Sequence, residues 1–330
     1  MTDTTDDQTH PEEGGLQRVV AFVGPTGVGK TALAEAVAVN VGGEIVSADS
    51  MQVYRGMDVG TAKPSVAERR VPYHCIDLVD PGTPYSAALY QHDARAAIAD
   101  IASRGALPVL CGGTGLYVRA ALDDFHFPAG ETDGEVRARY LALAEDIGAP
   151  ALHARLASRD PKAAALIHQN NTRRVIRALE MLDDGASYCV QAAGFSERRS
   201  IYDAVLMGLS MDRADLYARI DARVDAMITT GLPDEVAALL DAGYRDALTA
   251  AQAIGYKELV AVVEDGADLG EAVASIKQAT RRYAKRQLTW FRADPRVIWL
   301  DVTGLSAAQA RGAALSLVQS TRPSSAEHRR

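Results

Sequence analysis

Eight consecutive residues, Gly24-Pro25-Thr26-Gly27-Val28-Gly29-Lys30-Thr31, follow the G-x-x-x-x-G-K-[ST] spacing of a phosphate loop. The glycines let successive backbone N–H groups turn toward anionic oxygens. Lys30 adds a point charge, and the Thr31 hydroxyl suits Mg²⁺. The apolar run Val19-Val20-Ala21-Phe22-Val23 precedes the loop and a helical pattern follows it, so the positive end of a helix faces the ligand. The pattern gives a grip on a polyphosphate. It does not by itself separate nucleotide hydrolases, kinases and transferases whose leaving group is diphosphate.

A second group of reactive side chains, Asp49-Ser50-Met51-Gln52-Val53-Tyr54, follows the next apolar strand and puts a carboxylate, a hydroxyl and an amide on one turn. Such a turn can read a polar molecule and accept a proton from it; Asp-Ser at a strand end can also be a simple helix cap. Gly60-Thr61-Ala62-Lys63-Pro64 has the look of a second anion-friendly turn, and Gly112-Gly113-Thr114-Gly115 reads as a tight turn after a third strand. Arg219 and Arg223 stand four apart within the amphipathic stretch 216–227, hence on one helical face. Either can clamp a diphosphate; the competing reading is a solvated charged face shared with Asp215, Asp221 and Asp225.

The elements that must position these residues alternate strand and helix. Strand 18–23, helix 30–41 and strand 43–48 form a βαβ unit, and strand 75–79, helix 86–104 and strand 107–111 continue it. In a parallel sheet, ligands sit at the carboxyl ends of the strands, which brings Asp49 and Thr114 toward the phosphate loop. Residues 125–200 read as helices broken at Gly148-Ala149-Pro150, Asp160-Pro161 and Asp184-Gly185, and strands 204–209 and 297–300 return to the sheet. The expected division is a disordered leader (1–15), a core (16–124 and 201–320), a helical insertion (125–200) and a polar tail (321–330).

At 330 residues and 48% hydrophobic content the chain can bury a sizeable core. Three cysteines without metal-ligand spacing support neither a disulfide framework nor a zinc site. Neither a signal peptide nor a stretch of membrane-spanning length is recognisable, so a soluble, cytoplasmic protein is expected. The net charge of −8 argues against a nucleic-acid partner, yet removing the five acidic residues of the leader takes it to −3. Between Lys277 and Arg292 there are six basic residues and no acidic one, with Tyr283, Trp290 and Phe291 interleaved, a composition suited to RNA phosphates and stacked bases. An amphipathic helix with a solvated basic face has the same composition.

Taken together, these stretches resemble the tRNA dimethylallyltransferase (tRNA isopentenyltransferase) family. The resemblance runs through Gly24 to Thr31, Asp49 to Tyr54, Gly60 to Pro64 and Gly112-Gly113-Thr114-Gly115-Leu116-Tyr117. It continues through Arg173-Arg174-Val175-Ile176-Arg177-Ala178-Leu179-Glu180, Ile254-Gly255-Tyr256-Lys257-Glu258 and Thr280 to Phe291. It implies an α/β fold, a P-loop NTPase-like parallel-sheet core with a helical insertion, and transfer of a dimethylallyl group from dimethylallyl diphosphate to N6 of adenosine 37. The acceptors would be tRNAs reading codons that begin with U, and ATP would not be hydrolysed.

On that resemblance Gly24, Pro25, Thr26, Gly27, Val28, Gly29, Lys30, Thr31 and Arg223 hold the donor with Mg²⁺ on Thr31. Asp49 is the base, and Thr114 and Arg219 assist catalysis. Asp49, Ser50, Met51, Gln52, Thr114, Arg137, Asn171, Arg173, Arg174, Lys285 and Arg286 contact tRNA, the insertion gripping the anticodon stem. A monomer of the shorter bacterial type is expected, since no cysteine/histidine finger follows the core. A cytokinin-type adenylate isopentenyltransferase would not need the insertion or the basic run. A phosphate-loop kinase would take ATP as donor and use the aspartate on a hydroxyl acceptor, and an RNA-binding protein could use the loop as a nucleotide switch without catalysis.

Overall fold

The computed structural model describes residues 15–125, 127, 134–242, 244 and 249–321. The expected leader and tail lie outside these residues, apart from their innermost positions. Six parallel strands form one sheet: β1 Arg18–Val23, β2 Gly43–Ser47, β3 Tyr73–His74, β4 Leu107–Gly112, β5 Asp203–Ser210 and β6 Val297–Asp301. Their order is β3-β2-β4-β1-β5-β6. β1 is central, pairing Val23 with Gly112 on one side and with Gly208 on the other. Its five residues after Arg18 are fully buried, as a strand covered on both faces requires.

Helices pack on both faces. α1 Lys30–Val41 and α12 Ala307–Ser320 share one apolar layer with the sheet; α2 Ala87–Ser103 and α3 Gly115–Leu122 belong to the other. α8 Arg213–Thr229, α9 Leu232–Asp241, α10 Tyr256–Asp265 and α11 Leu269–Arg292 close over the carboxyl ends of the strands and wall the site. Between β4 and β5 the chain runs through α4 Glu135–Arg159, α5 Pro161–Leu166, α6 Thr172–Asp183 and α7 Tyr188–Ser196. These helices have their own core, including Tyr140, Leu152, Leu156, Val175 and Leu179. Gly148 (φ 77°, ψ 164°) kinks α4 just before Pro150, at the break expected there.

The two chain segments leading into and out of these helices pair with each other. Asp123 and Ser200 form an antiparallel bridge, and the Ile201 N–H donates to the Leu122 carbonyl at 2.9 Å. Asp123, almost fully buried, is held by Arg119 at 2.8 Å and by Arg296 at 2.6 Å. Arg296 also reaches Asp294. The insertion is thus rooted in an ionic network belonging to the sheet domain.

One expected strand is absent. Residues 75–79 contain Cys75 (φ 58°) and Asp77 (φ 56°), both in the left-handed region that breaks a strand. The ladder is the two-residue β3 just before them. The 75–79 segment instead bonds to the turn at 52–53, with the Leu78 N–H donating to the Val53 carbonyl at 2.8 Å.

Candidate active site

The phosphate loop leaves β1 with Gly24, Gly27 and Gly29 at φ 137°, 83° and 98°, all in the region that L side chains avoid. At Gly24 a Cβ would lie 2.6 Å from the Leu209 carbonyl, and at Gly27 it would lie 2.9 Å from the Ile220 side chain. The spacing read in the sequence therefore answers both backbone shape and close packing. Gly29 is the N-cap of α1, which starts without a side-chain cap. Lys30 folds back to donate to the Pro25 carbonyl at 2.7 Å. Burial pushes its amine down to about 8, while Cys111 and Asp49 favour the charged form.

Asp49 and Ser50 sit at the end of β2, next to the phosphate loop across β4. Asp49 Oδ1 accepts from the Met51 N–H at 2.9 Å, which turns the chain sharply; no helix begins there, so the simple helix-cap reading fails. Thr114 Oγ1 accepts from the Ser50 N–H at 3.0 Å and lies 3.3 Å from Ser50 Oγ, tying the β4 turn to the β2 turn. Gln52 is fixed by Ser47, whose hydroxyl donates to Gln52 Oε1 at 2.9 Å.

The phosphate loop and the β2 turn border a cavity of about 700 Å³, with Gly112 and Gly113 in its lining and Thr114 just behind it. Thr26, Gly27, Gly29, Lys30, Thr31, Asp49, Ser50, Met51 and Gln52 all line it. A second wall is apolar and comes from distant elements: Val224 and Met227 on α8, Leu232 on α9, Ile254, and Ile276 on α11. Arg223 lines the cavity, with burial lowering its pKa and Asp49 opposing that shift. Arg219 is exposed one turn earlier, its guanidinium 3.5 Å from where a Cβ on Gly29 would lie. The two arginines thus both approach the loop, and the cavity wall takes Arg223.

Three sequence expectations receive another physical explanation. The turn at Gly60 does bind an anion, but the anion is internal: the Glu235 carboxylate accepts from the N–H groups of Asp58, Val59 and Gly60 at 3.0, 2.7 and 3.2 Å, and from the Tyr256 hydroxyl at 2.6 Å. Lys63 is buried between Asp58 and Asp77, at 2.6 Å from each. Trp290 and Phe291 are not offered to bases. Phe291 is buried, and Trp290 packs edge-on against Phe195 with its ring where a side chain on Gly115 would stand. Arg137 commits its guanidinium to a bidentate pair with the buried Glu180, at 2.6 and 2.9 Å.

The remaining basic candidates separate clearly. Lys277 and Arg281 of α11 pair with Asp225 and Asp221 of α8, at 2.6 and 2.5 Å. Arg282, Lys285 and Arg286 are exposed, Arg282 and Arg286 at the same time lining the cavity, with Arg286 lying 5.5 Å over the Tyr283 ring. Tyr283 lines the cavity. Burial and Asp49 push its hydroxyl up to about 12, against hydrogen bonds to Thr114 and Gln287. In the insertion Asn171 caps α6 by accepting from the Arg174 N–H at 3.3 Å, and Arg173 and Arg174 are exposed. Gln287 and Glu235 carry site geometry that residue type alone did not indicate; Gln287 lies inside the Thr280 to Phe291 motif, so its position was marked but its task was not.

Known proteins are similar to this chain in sequence and in fold. The model of the IPP transferase family matches residues 52–294, and that described as isopentenyl transferase matches 17–71. The tRNA dimethylallyltransferase of Bacillus velezensis is 51% identical over 288 residues, covering 87% of this chain and 91% of that one. Its counterpart in Symbiobacterium thermophilum is 52% identical over 289 residues, covering 87% and 90%. The full-length tRNA isopentenylpyrophosphate transferase of Bacillus halodurans superposes with a TM-score of 0.67 at 43% identity, over 92% of this chain and 98% of that one. A eukaryotic dimethylallyltransferase acting on tRNA superposes with a TM-score of 0.77 at 28% identity, over 94% and 81%. With half of the aligned residues identical to such relatives over most of both chains, and with the family model spanning both sheet and inserted helices, this chain belongs to the IPP transferase family.

Proposed function

We propose that the protein transfers the dimethylallyl group of dimethylallyl diphosphate to N6 of adenosine 37 in tRNAs reading codons that begin with U, releasing diphosphate. The observation that carries this reading is the composition of one cavity: a phosphate loop, an apolar wall and a polar turn meet in the same space. A phosphoryl-transfer enzyme needs the first and third, whereas an allyl diphosphate donor also needs an apolar wall to receive its hydrocarbon chain. A five-carbon allyl diphosphate uses all of them.

In this reading the loop amides, Lys30 and Arg223 hold the diphosphate, and Val224, Met227, Leu232 and Ile254 receive the allyl chain. Asp49, Ser50 and Gln52 form the pocket for an adenine extruded from the anticodon loop. The N6–carbon bond forms as the carbon–oxygen bond to diphosphate breaks, and the electron pair leaves on oxygen. The developing charge is stabilised by Lys30 and the loop N–H groups. The proton shed by N6 passes to Asp49, and the Thr114 hydroxyl, fixed by the Ser50 N–H, orients the groups on either side.

The oxygen donors fit Mg²⁺. The Thr31 hydroxyl opens the first turn of α1 on the cavity wall and would be the protein ligand, since Mg²⁺ takes few protein oxygens beside substrate phosphates. When bound it would neutralise charge on the diphosphate. Among the described residues no group of three or more His, Cys, Asp or Glu could hold a metal alone, so substrate oxygens would complete its shell. The exposed Arg173, Arg174, Arg282, Lys285 and Arg286 would meet RNA phosphates, the insertion (125–200) reaching the anticodon stem. No described helix is long and apolar enough to cross a membrane; a cytoplasmic monomer is part of the same proposal.

The test offers labelled dimethylallyl diphosphate or labelled ATP together with unmodified tRNA or AMP, then digests the RNA and identifies the labelled nucleoside. Label in N6-dimethylallyladenosine at position 37 is the expected result. Label on AMP would make the protein an adenylate prenyltransferase, and phosphate transferred from ATP would make it a kinase.

A further inference from the structure

Gln287 lies inside α11, 5% exposed, and its side-chain amide joins the two halves of the site. Its Oε1 accepts from the Thr26 N–H of the phosphate loop at 2.8 Å, and its Nε2 donates to the Gly113 carbonyl of the β4 turn at 2.9 Å. The packing leaves no slack: a Cβ on Gly113 would collide with the Gln287 amide nitrogen and stand 3.3 Å from the Gly24 carbonyl. One planar group must therefore present an acceptor to one loop and a donor to the other. Glutamine does both, whereas methionine does neither and ionised glutamate only accepts.

The two loops serve opposite reactants. Thr26 belongs to the loop that would hold the leaving diphosphate, and Gly113 adjoins Thr114, whose hydroxyl fixes the turn carrying Asp49 and Ser50. We infer that Gln287 is a positioning residue for the transfer step, setting the distance between the diphosphate loop and the turn that orients the attacking amine. This rests on the reading of the site as a prenyl transferase. A displacement reaction is sensitive to that distance, because a misplacement of about 1 Å costs on the order of a hundredfold in rate. α11 also carries Lys285, exposed, and Arg286, exposed and lining the cavity, beside Gln287, so the helix that would meet RNA phosphates is the one that spaces the reacting groups.

The experiment is single-turnover transfer of label from dimethylallyl diphosphate to unmodified tRNA by wild type, Gln287→Met and Gln287→Glu, with enzyme in excess over tRNA. Rate constant and amplitude are read separately, and KM for each substrate comes from steady state. The expected result is a rate constant lowered about 10- to 100-fold in both variants, with full amplitude and with each KM within about threefold of wild type. A purely structural role would lower the amplitude or the melting temperature and leave the rate constant of the surviving molecules within about threefold, and that result overturns the inference. Should the methionine variant fail to fold, the isosteric glutamate variant gives the same reading. A wild type that transfers no label would instead sink the functional proposal itself.

Discussion

Asp49 is where the proposed chemistry is most open to refutation. Its Oδ1 shapes the local turn through the Met51 N–H while the carboxylate lines the cavity, so an isosteric amide keeps the turn and loses the base. Asp49→Asn should fold normally and lower the single-turnover rate by about a hundredfold or more; retention of rate within about threefold would make Asp49 structural. Lys30 sets a pH dependence. Its amine is lowered to about 8, and an anion beside it favours the charged form, so donor binding takes up a proton as pH climbs through that value. KM for the donor should therefore rise above about pH 8, and a Lys30→Arg variant should lose that step because its guanidinium stays charged. Without donor the sign is opposite. The folded-state pKa lies below the unfolded 10.5, so the cost of burying the charge is relieved as pH rises between the two. At this scale the phosphate loop was readable residue by residue, since each glycine has a local backbone reason. The Glu235 nest and the Gln287 clamp were not, because their partners are 175 and 261 positions away along the chain.

Among the elements, α11 divides its basic residues between fold and surface. Lys277 and Arg281 are tied to Asp225 and Asp221 of α8, whereas Lys285 is exposed and Arg286 is exposed at the cavity mouth over Tyr283. A basic amphipathic run is visible in the sequence, but this division is not, because it depends on the acidic face of α8 some fifty residues earlier. Replacing Lys285 and Arg286 by alanine should weaken tRNA binding and shallow the slope of log K against log salt by about 0.7 to 0.9 per lost contact. Filter binding across a salt series measures it. An unchanged slope would mean RNA is held elsewhere, and the Lys277→Ala, Arg281→Ala pair is expected to leave the slope unchanged while lowering thermal stability. Strand and helix order followed from hydrophobic period almost throughout. The 75–79 segment escaped because its two left-handed residues are not glycines and nothing in their type announces the turn.

In the whole molecule the sheet places the phosphate loop and the Asp49 and Thr114 turns at strand carboxyl ends, and α8 to α11 fold back to supply an apolar wall together with Arg223, Tyr283 and Gln287. That wall was the least legible part of the site. Its residues are ordinary helix-core types in the sequence, and only packing shows that Val224, Met227, Leu232, Ile254 and Ile276, at the edge of the core, also border one shared cavity. The wall is also what an allyl chain would occupy, and only product analysis separates a loop that holds a leaving group from one that holds a nucleotide to be cleaved. The central claim is therefore a stoichiometry. With unmodified tRNA and dimethylallyl diphosphate, and no ATP present, released diphosphate and prenylated adenosine should be counted in the same reaction. The account predicts one diphosphate per modified tRNA, with no dependence on added ATP and loss of both products in Asp49→Asn. Diphosphate or phosphate release uncoupled from tRNA modification, or modification that requires ATP, would contradict it.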